Sequence, residues 1–163
     1  MHPCPCGYYT DPKRARRCHP SKIARYMEKI SGPLLDRIDI HIELSSLKYK
    51  ELSDTKYAEP SAAIKERVEG ARKIQTERFK AEGIFYNASM NTRLIKKYCI
   101  LNDEAKALLK MAMSELGLSA RAYDKILKVS RTIADLAESE TILPEHISEA
   151  IEYRGLDRSM YVG

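Results

Sequence analysis

Two arginines and a group of three cysteines are the residues of this 163-residue chain whose types and surroundings can do chemistry. Arg37 stands in the run Gly32-Pro33-Leu34-Leu35-Asp36-Arg37-Ile38-Asp39-Ile40, directly before an alternation of Ile38, Ile40, Ile42 and Leu44 with Asp39, His41 and Glu43. That period of two predicts a half-buried strand over roughly 38–44 with Arg37 at its mouth. Arg121 stands in Ser119-Ala120-Arg121-Ala122-Tyr123-Asp124-Lys125-Ile126-Leu127, where Ser119 predicts a helix N-cap and places Arg121 in the first turn. Unpaired N–H groups and the helix dipole favour an anion there, and a guanidinium adds a planar, permanently charged fork suited to phosphate oxygens. The alternative for each arginine is an ordinary ion pair, for which Asp36 and Asp39 are near at hand.

Cys4, Cys6 and Cys18 lie close in sequence, and His19 or His2 could complete a four-ligand set of the thiolate and imidazole type that zinc takes in a tetrahedron. The alternative is that no metal binds, since the C-x-C spacing is tighter than the usual zinc-knuckle pair. Cys99, far off in a helical stretch, reads as a small buried apolar residue. Arg121, Lys125, Lys128 and Arg131 follow one another at steps of four, three and three, which predicts one basic stripe on a helix. It reads as a solvated face, or else as a surface whose upper end meets a nucleotide and whose lower end meets a neighbouring subunit or a nucleic-acid strand. Lys13, Arg14, Arg16 and Arg17 form a second basic cluster, read as a solvated loop with nucleic-acid contact as the alternative.

The elements that must position these groups are mostly helical. Positions 23, 26, 27 and 30 are apolar at helical spacing, so residues 21–30 predict a helix that Gly32-Pro33 stops. After a polar stretch ending at Pro60, Ile64, Val68, Ala71 and Ile74 give one amphipathic stripe. Leu108, Leu109, Ala112 and Leu116 give another, Ile126, Val129, Ile133 and Leu136 a third, and Ile147, Ala150 and Ile151 a short fourth. Ser61, Thr92, Asn102 and Ser119 read as caps, Pro144 as a first-turn residue, and 82–92 as a loop. Helices joined by short connections predict a bundle. A single strand cannot make a sheet, so a partner for 38–44 must come from a second chain or from a part of the protein outside this one.

Composition agrees: 44% hydrophobic and 31% charged residues, no Trp and two Phe, which fits a folded domain whose core is aliphatic. The net charge of +5 and pI near 9.0 are compatible with a polyanionic partner without requiring one. No run approaches a membrane span and no signal-peptide pattern opens the chain, so a cytoplasmic location is expected.

Three stretches carry a resemblance: Pro3-Cys4-Pro5-Cys6-Gly7-Tyr8-Tyr9, then Lys29-Ile30-Ser31-Gly32-Pro33-Leu34-Leu35-Asp36-Arg37-Ile38-Asp39, and Ser119 onward with Arg131-Thr132-Ile133-Ala134-Asp135-Leu136. With these the chain resembles the C-terminal part of the magnesium-chelatase-like AAA+ ATPases of the ComM/YifB type. The resemblance implies a mainly α fold, a helical lid over 61–163, preceded by a linker over 46–60 and by a short one-strand remnant of an α/β nucleotide-binding core over 1–45. It implies Arg121 as the sensor-2 arginine, which reaches the nucleotide in its own subunit, and Arg37 as the arginine finger acting on the neighbour's. His2 falls where relatives carry the sensor-1 asparagine. ATP and Mg are the implied ligands, other copies in a ring, a hexamer, the implied partners, and DNA the implied substrate, with branch migration in recombination and natural transformation as the task. A motor that drives magnesium into a porphyrin and a non-enzymatic DNA-binding helical domain are the rival readings. No G-x-x-x-x-G-K-[ST] phosphate loop and no apolar strand ending in an acidic pair occurs in the chain, so this segment alone is expected not to hydrolyse ATP.

Overall fold

Most helices begin where a side chain accepts an N–H of the first turn or a first-turn proline removes one. The computed structural model describes residues 4–8, 18–42, 44 and 59–154, so the expectations for His2, for 13–17 and for most of 46–60 fall outside the described residues. His19 precedes α1 (Pro20–Met27), its Nδ1 accepting the Ser21 N–H at 3.4 Å. Asn102 precedes α5 (Asp103–Glu115) and accepts from Ala105 at 2.8 Å. Ser119 precedes α6 (Ala120–Leu136) and accepts from Ala122 at 3.0 Å, and α7 (Pro144–Glu152) opens on its proline.

Local chemistry moves four of the expected boundaries. The cap of α4 (Thr92–Tyr98) is Asn91, whose amide oxygen reaches the Leu94 N–H at 3.0 Å, and Thr92 becomes the first helical residue. Pro60, not Ser61, is the cap position of α3 (Ser61–Arg78) and makes no side-chain cap bond. Helix α1 ends at Met27, and Gly32-Pro33 opens a single turn, α2 (Gly32–Leu35), because a proline's fixed φ suits a first turn. The loop after α3 contains a 3-10 turn, Asn87–Ser89.

The fold is mainly α, as the patterns predict. The strand is not formed: residues 38–42 pair with no strand among the described residues, and Asp39 stands in a bend. The expected alternation of burial is lost, since Ile38, Asp39, Ile40 and Ile42 are all exposed and His41 is buried. A lone strand has no ladder to hold an apolar face inward, and the segment is instead tied to the end of α7. The His41 N–H donates to the Tyr153 carbonyl at 2.7 Å, and Arg154 Nη1 donates to that of Ile38 at 2.8 Å.

Helix α6 is the centre of the bundle, touching α3, α4, α7 and the 3-10 turn, while α7 also packs on α5. Ile126 from α6, Ile147 from α7 and Ile142 from the preceding loop are fully buried, each contributing about 1.5–3 kcal/mol by leaving water. Phe79 and Tyr98 meet edge to face with centroids 5.4 Å apart. A parallel bridge between Leu101 and Ile142 closes the loop before α7 onto the start of α5. The first half of α3 departs from its expected stripe: Ile64 and Val68 are exposed, and the helix joins the bundle through Ala71, Gln75 and Arg78. No helix among the described residues is long and apolar enough to cross a membrane.

A buried polar network fixes the far half of α6. Asp135 accepts from Arg78 Nη1 at 2.7 Å and again from Arg78 Nη2, from Asn87 Nδ2 at 2.8 Å, and from Arg131 Nε at 3.1 Å. Helix α3, the 3-10 turn and α6 thus meet at one carboxylate with no exposed side-chain surface.

Candidate functional site

The N-terminus of α6 abuts the corner that carries Arg37. The Ser119 hydroxyl both accepts the Ala122 N–H and donates to Asp36 Oδ1 at 2.9 Å, so one group caps the helix and docks it. Arg121, in the first turn, has a side chain 55% exposed, with Nη1 3.6 Å from Asp36 Oδ2. One turn further on, Lys125 Nζ donates to the Arg37 carbonyl at 2.7 Å and to the Asp39 carboxylate. Arg154, buried at the end of α7, places Nη2 3.7 Å from Asp36 Oδ1. Arg37 itself is exposed, its backbone held by Lys125.

Both arginines therefore lie at one corner of the molecule, on residues whose backbones are fixed and with their guanidinium ends accessible. The ion pair weighed against a phosphate role is present for Arg121 in loose form. At that distance, and with more than half of the arginine side chain in water, such a pair contributes about 0.2–1 kcal/mol, little enough for a phosphate to displace.

The basic stripe of α6 is not one solvated face. Lys125 is engaged by the corner, Lys128 Nζ donates to the Ala88 carbonyl at 3.0 Å, and Arg131 is buried, with 1% of its side chain exposed. Arg131 binds Asp135 and donates to the carbonyls of Glu140, at 2.7 Å, and Ser139. Burial pulls the Arg131 pKa below its ordinary value and Asp135 opposes the shift. Only the upper end of the stripe, at Arg121, offers an exposed fork, carried on the first turn of the helix. The hub residues Asp36 and Arg154 were not singled out as a cluster by sequence, because they lie 118 positions apart (154 − 36) and meet only through folding.

The thiols of Cys4, Cys6 and Cys18 come together, all three sulfurs within 4.8 Å of one another and those of Cys4 and Cys6 3.2 Å apart. A tetrahedral zinc with bonds of about 2.3 Å sets its sulfurs about 3.8 Å apart, so the three sulfurs fit such a set. His19 is not in this group; its Nδ1 lies 2.9 Å from the Ser21 hydroxyl and caps α1. The Cys18 thiol is raised above its ordinary pKa by its hydrogen bond to Cys6, by burial, and by charge repulsion from the other two thiols. Cys99 is buried in the bundle, and burial pushes its pKa up to about 12, so it is an inert apolar residue as expected.

Comparison with known proteins places this geometry in a family. Residues 58–154 match the family described as magnesium chelatase, subunit ChlI C-terminal, and residues 1–52 match magnesium chelatase, subunit ChlI. The chain is 44% identical to the competence protein ComM of Haemophilus influenzae, the match covering 97% of this chain and 30% of that protein. It is 39% identical to YifB of Escherichia coli and 38% identical to YifB of Salmonella typhimurium, again over 97% of this chain and 30% of each relative. The chain thus spans 30% of the length of these curated relatives. Members of the family are in general ring-forming, ATP- and Mg-dependent AAA+ proteins. The chain belongs to the magnesium chelatase subunit ChlI family of AAA+-type ATPases, with ComM and YifB among its relatives.

Proposed function

We propose that this chain carries the last core elements (1–45), a linker (46–60) and the helical lid (61–163) of a ring-forming ATPase that couples ATP hydrolysis to DNA remodelling. Arg121 acts as sensor 2 on the phosphates bound in its own subunit, Arg37 as the finger reaching the neighbour's, and His2 occupies the sensor-1 position. The observation that carries the reading is the exposed guanidinium of Arg121 on the first turn of a capped helix, beside a corner that presents Arg37. A fork there can hold phosphate oxygens as charge develops on them, and a second arginine from outside the subunit is worth about 10³–10⁵ in turnover in well-studied NTPases. The likeness to a competence protein supports DNA as the substrate. The family name supports the alternative, a motor driving magnesium into a porphyrin.

In the full-length protein, Arg121→Ala lowers ATP turnover at saturating ATP at least tenfold with the helical circular dichroism unchanged; unaltered turnover refutes the sensor assignment. Duplex or branched DNA stimulates the wild-type ATPase, and a flat response to both contradicts the DNA reading.

Cys4, Cys6 and Cys18 would hold a structural zinc as three thiolates. The fourth ligand is His2, or His19 if it presents Nε2 rather than the Nδ1 that faces Ser21. Freshly purified protein then carries about one zinc per chain, and less than about 0.2 ends the assignment, because a structural site is nearly filled.

A further inference from the structure

We infer that Asp36 is a positioning residue that couples the two arginines, competing with bound phosphate for Arg121 while tying the backbone of Arg37 to the same helix; this rests on the roles proposed above for both. Asp36 immediately precedes Arg37, and its side chain is 27% exposed. Its two oxygens divide their work. Oδ1 accepts the Ser119 hydroxyl at 2.9 Å and lies 3.7 Å from Arg154 Nη2, while Oδ2 faces Arg121 Nη1 at 3.6 Å. The carboxylate thereby holds the cap that orients the first turn of α6 and, more loosely, the guanidinium carried on that turn.

A guanidinium offers its in-plane N–H groups to carboxylate and phosphate alike, so an anionic phosphate arriving at Arg121 meets Asp36 as a competitor. When the phosphate takes Arg121, Asp36 keeps Ser119 and Arg154, and the cap survives. Lys125 meanwhile binds the Arg37 carbonyl and Asp39 from one turn along the same helix. Any shift of the α6 N-terminus toward a nucleotide in its own subunit therefore carries the Arg37 corner with it, and that corner is what the next subunit receives. The charge of Asp36 sets the affinity on one side, and its hydrogen bond to Ser119 transmits the position to the other.

Affinity for Mg and a non-hydrolysable ATP analogue, measured on the full-length protein, tests this in a double-mutant cycle of Asp36→Asn and Arg121→Ala. Asparagine keeps an oxygen for Ser119 and loses the charge. Asp36→Asn is expected to tighten binding about two- to fivefold, the range set by a half-exposed ion pair, and to do so only when Arg121 is present. Asp36→Ser, a second uncharged variant, gives the same direction and serves if the asparagine variant does not fold. An equal effect of Asp36→Asn with and without Arg121, or weaker binding with Arg121 present, overturns the coupling. If Arg121→Ala alone leaves the affinity unaltered, the sensor reading fails and the coupling falls with it. If Arg121→Ala weakens binding but the two substitutions are additive, only the coupling fails.

Discussion

Replacing Asp135 by alanine should cost the bundle about 3–5 kcal/mol, because it strips the shared counter-charge from two arginines at once. The carboxylate has no exposed surface and takes four hydrogen bonds, two from Arg78, one from Asn87 and one from Arg131. Without it, Arg131 keeps the carbonyls of Ser139 and Glu140 but stays charged and sealed from water. Arg78, with 13% of its side chain exposed, can recover part of its hydration, which draws the expected loss toward the lower end of the range. At about 4–8 °C per kcal/mol for a domain of this size, a loss of 3 kcal/mol lowers Tm by roughly 12–24 °C. Urea unfolding followed by far-ultraviolet circular dichroism reads the change directly, provided the slope m is unaltered. Asp135→Asn, which keeps an acceptor but no charge, should fall between wild type and alanine. A loss below about 1 kcal/mol for Asp135→Ala would show that the network does not fix α6 as described, since a broken buried pair costs far more.

Acid should act through Glu82. Hydrogen bonds from Lys97 first and Tyr98 second hold its carboxyl at about 2, below the ordinary 4.5. The folded pKa lies below the unfolded one, so the stabilisation is complete above about 4.5 and is lost as pH falls toward about 2, and Glu82→Gln should flatten that part of the pH profile. Unchanged acid sensitivity in the variant would contradict it. Glu138 closes the C-terminus of α6 with φ of 53°, where Ser139 N–H bonds the Ala134 carbonyl at 2.8 Å and Glu138 N–H that of Asp135 at 3.2 Å. The same closure after α5 uses Gly117, with φ of 58°. Glu138→Gly should therefore stabilise by about 0.5–1 kcal/mol in the same urea assay, and a loss of stability would refute it.

Helices and most caps were legible because they are written locally: Asn102 and Ser119 each sit three residues before the N–H they accept, and apolar spacing of three and four marks the buried faces. The errors share a cause, which is that tertiary partners decide what local pattern leaves open. Alternating Ile38, Ile40 and Ile42 promise a strand, yet with no partner strand among the described residues the end of α7 holds the segment through His41 and Ile38 instead. Arg131 shares a stripe with Arg121, yet one is buried against a carboxylate and two carbonyls while the other faces water. Only the Arg131–Asp135 spacing of four hinted at that. The docking of Asp36 on Ser119 joins residues 83 positions apart, and no local signal marks it.

The central claim is that Arg121 serves its own subunit's nucleotide and Arg37 the neighbour's. Full-length Arg37→Ala and Arg121→Ala proteins, each inactive alone, should regain turnover when mixed in equal amounts. An intact pairing arises wherever an Arg37→Ala subunit receives the finger of an Arg121→Ala subunit, about a quarter of the interfaces in a randomly assembled ring. Recovery of roughly a quarter of wild-type turnover is the predicted result. A mixture of co-assembled subunits as inactive as its components would contradict the account.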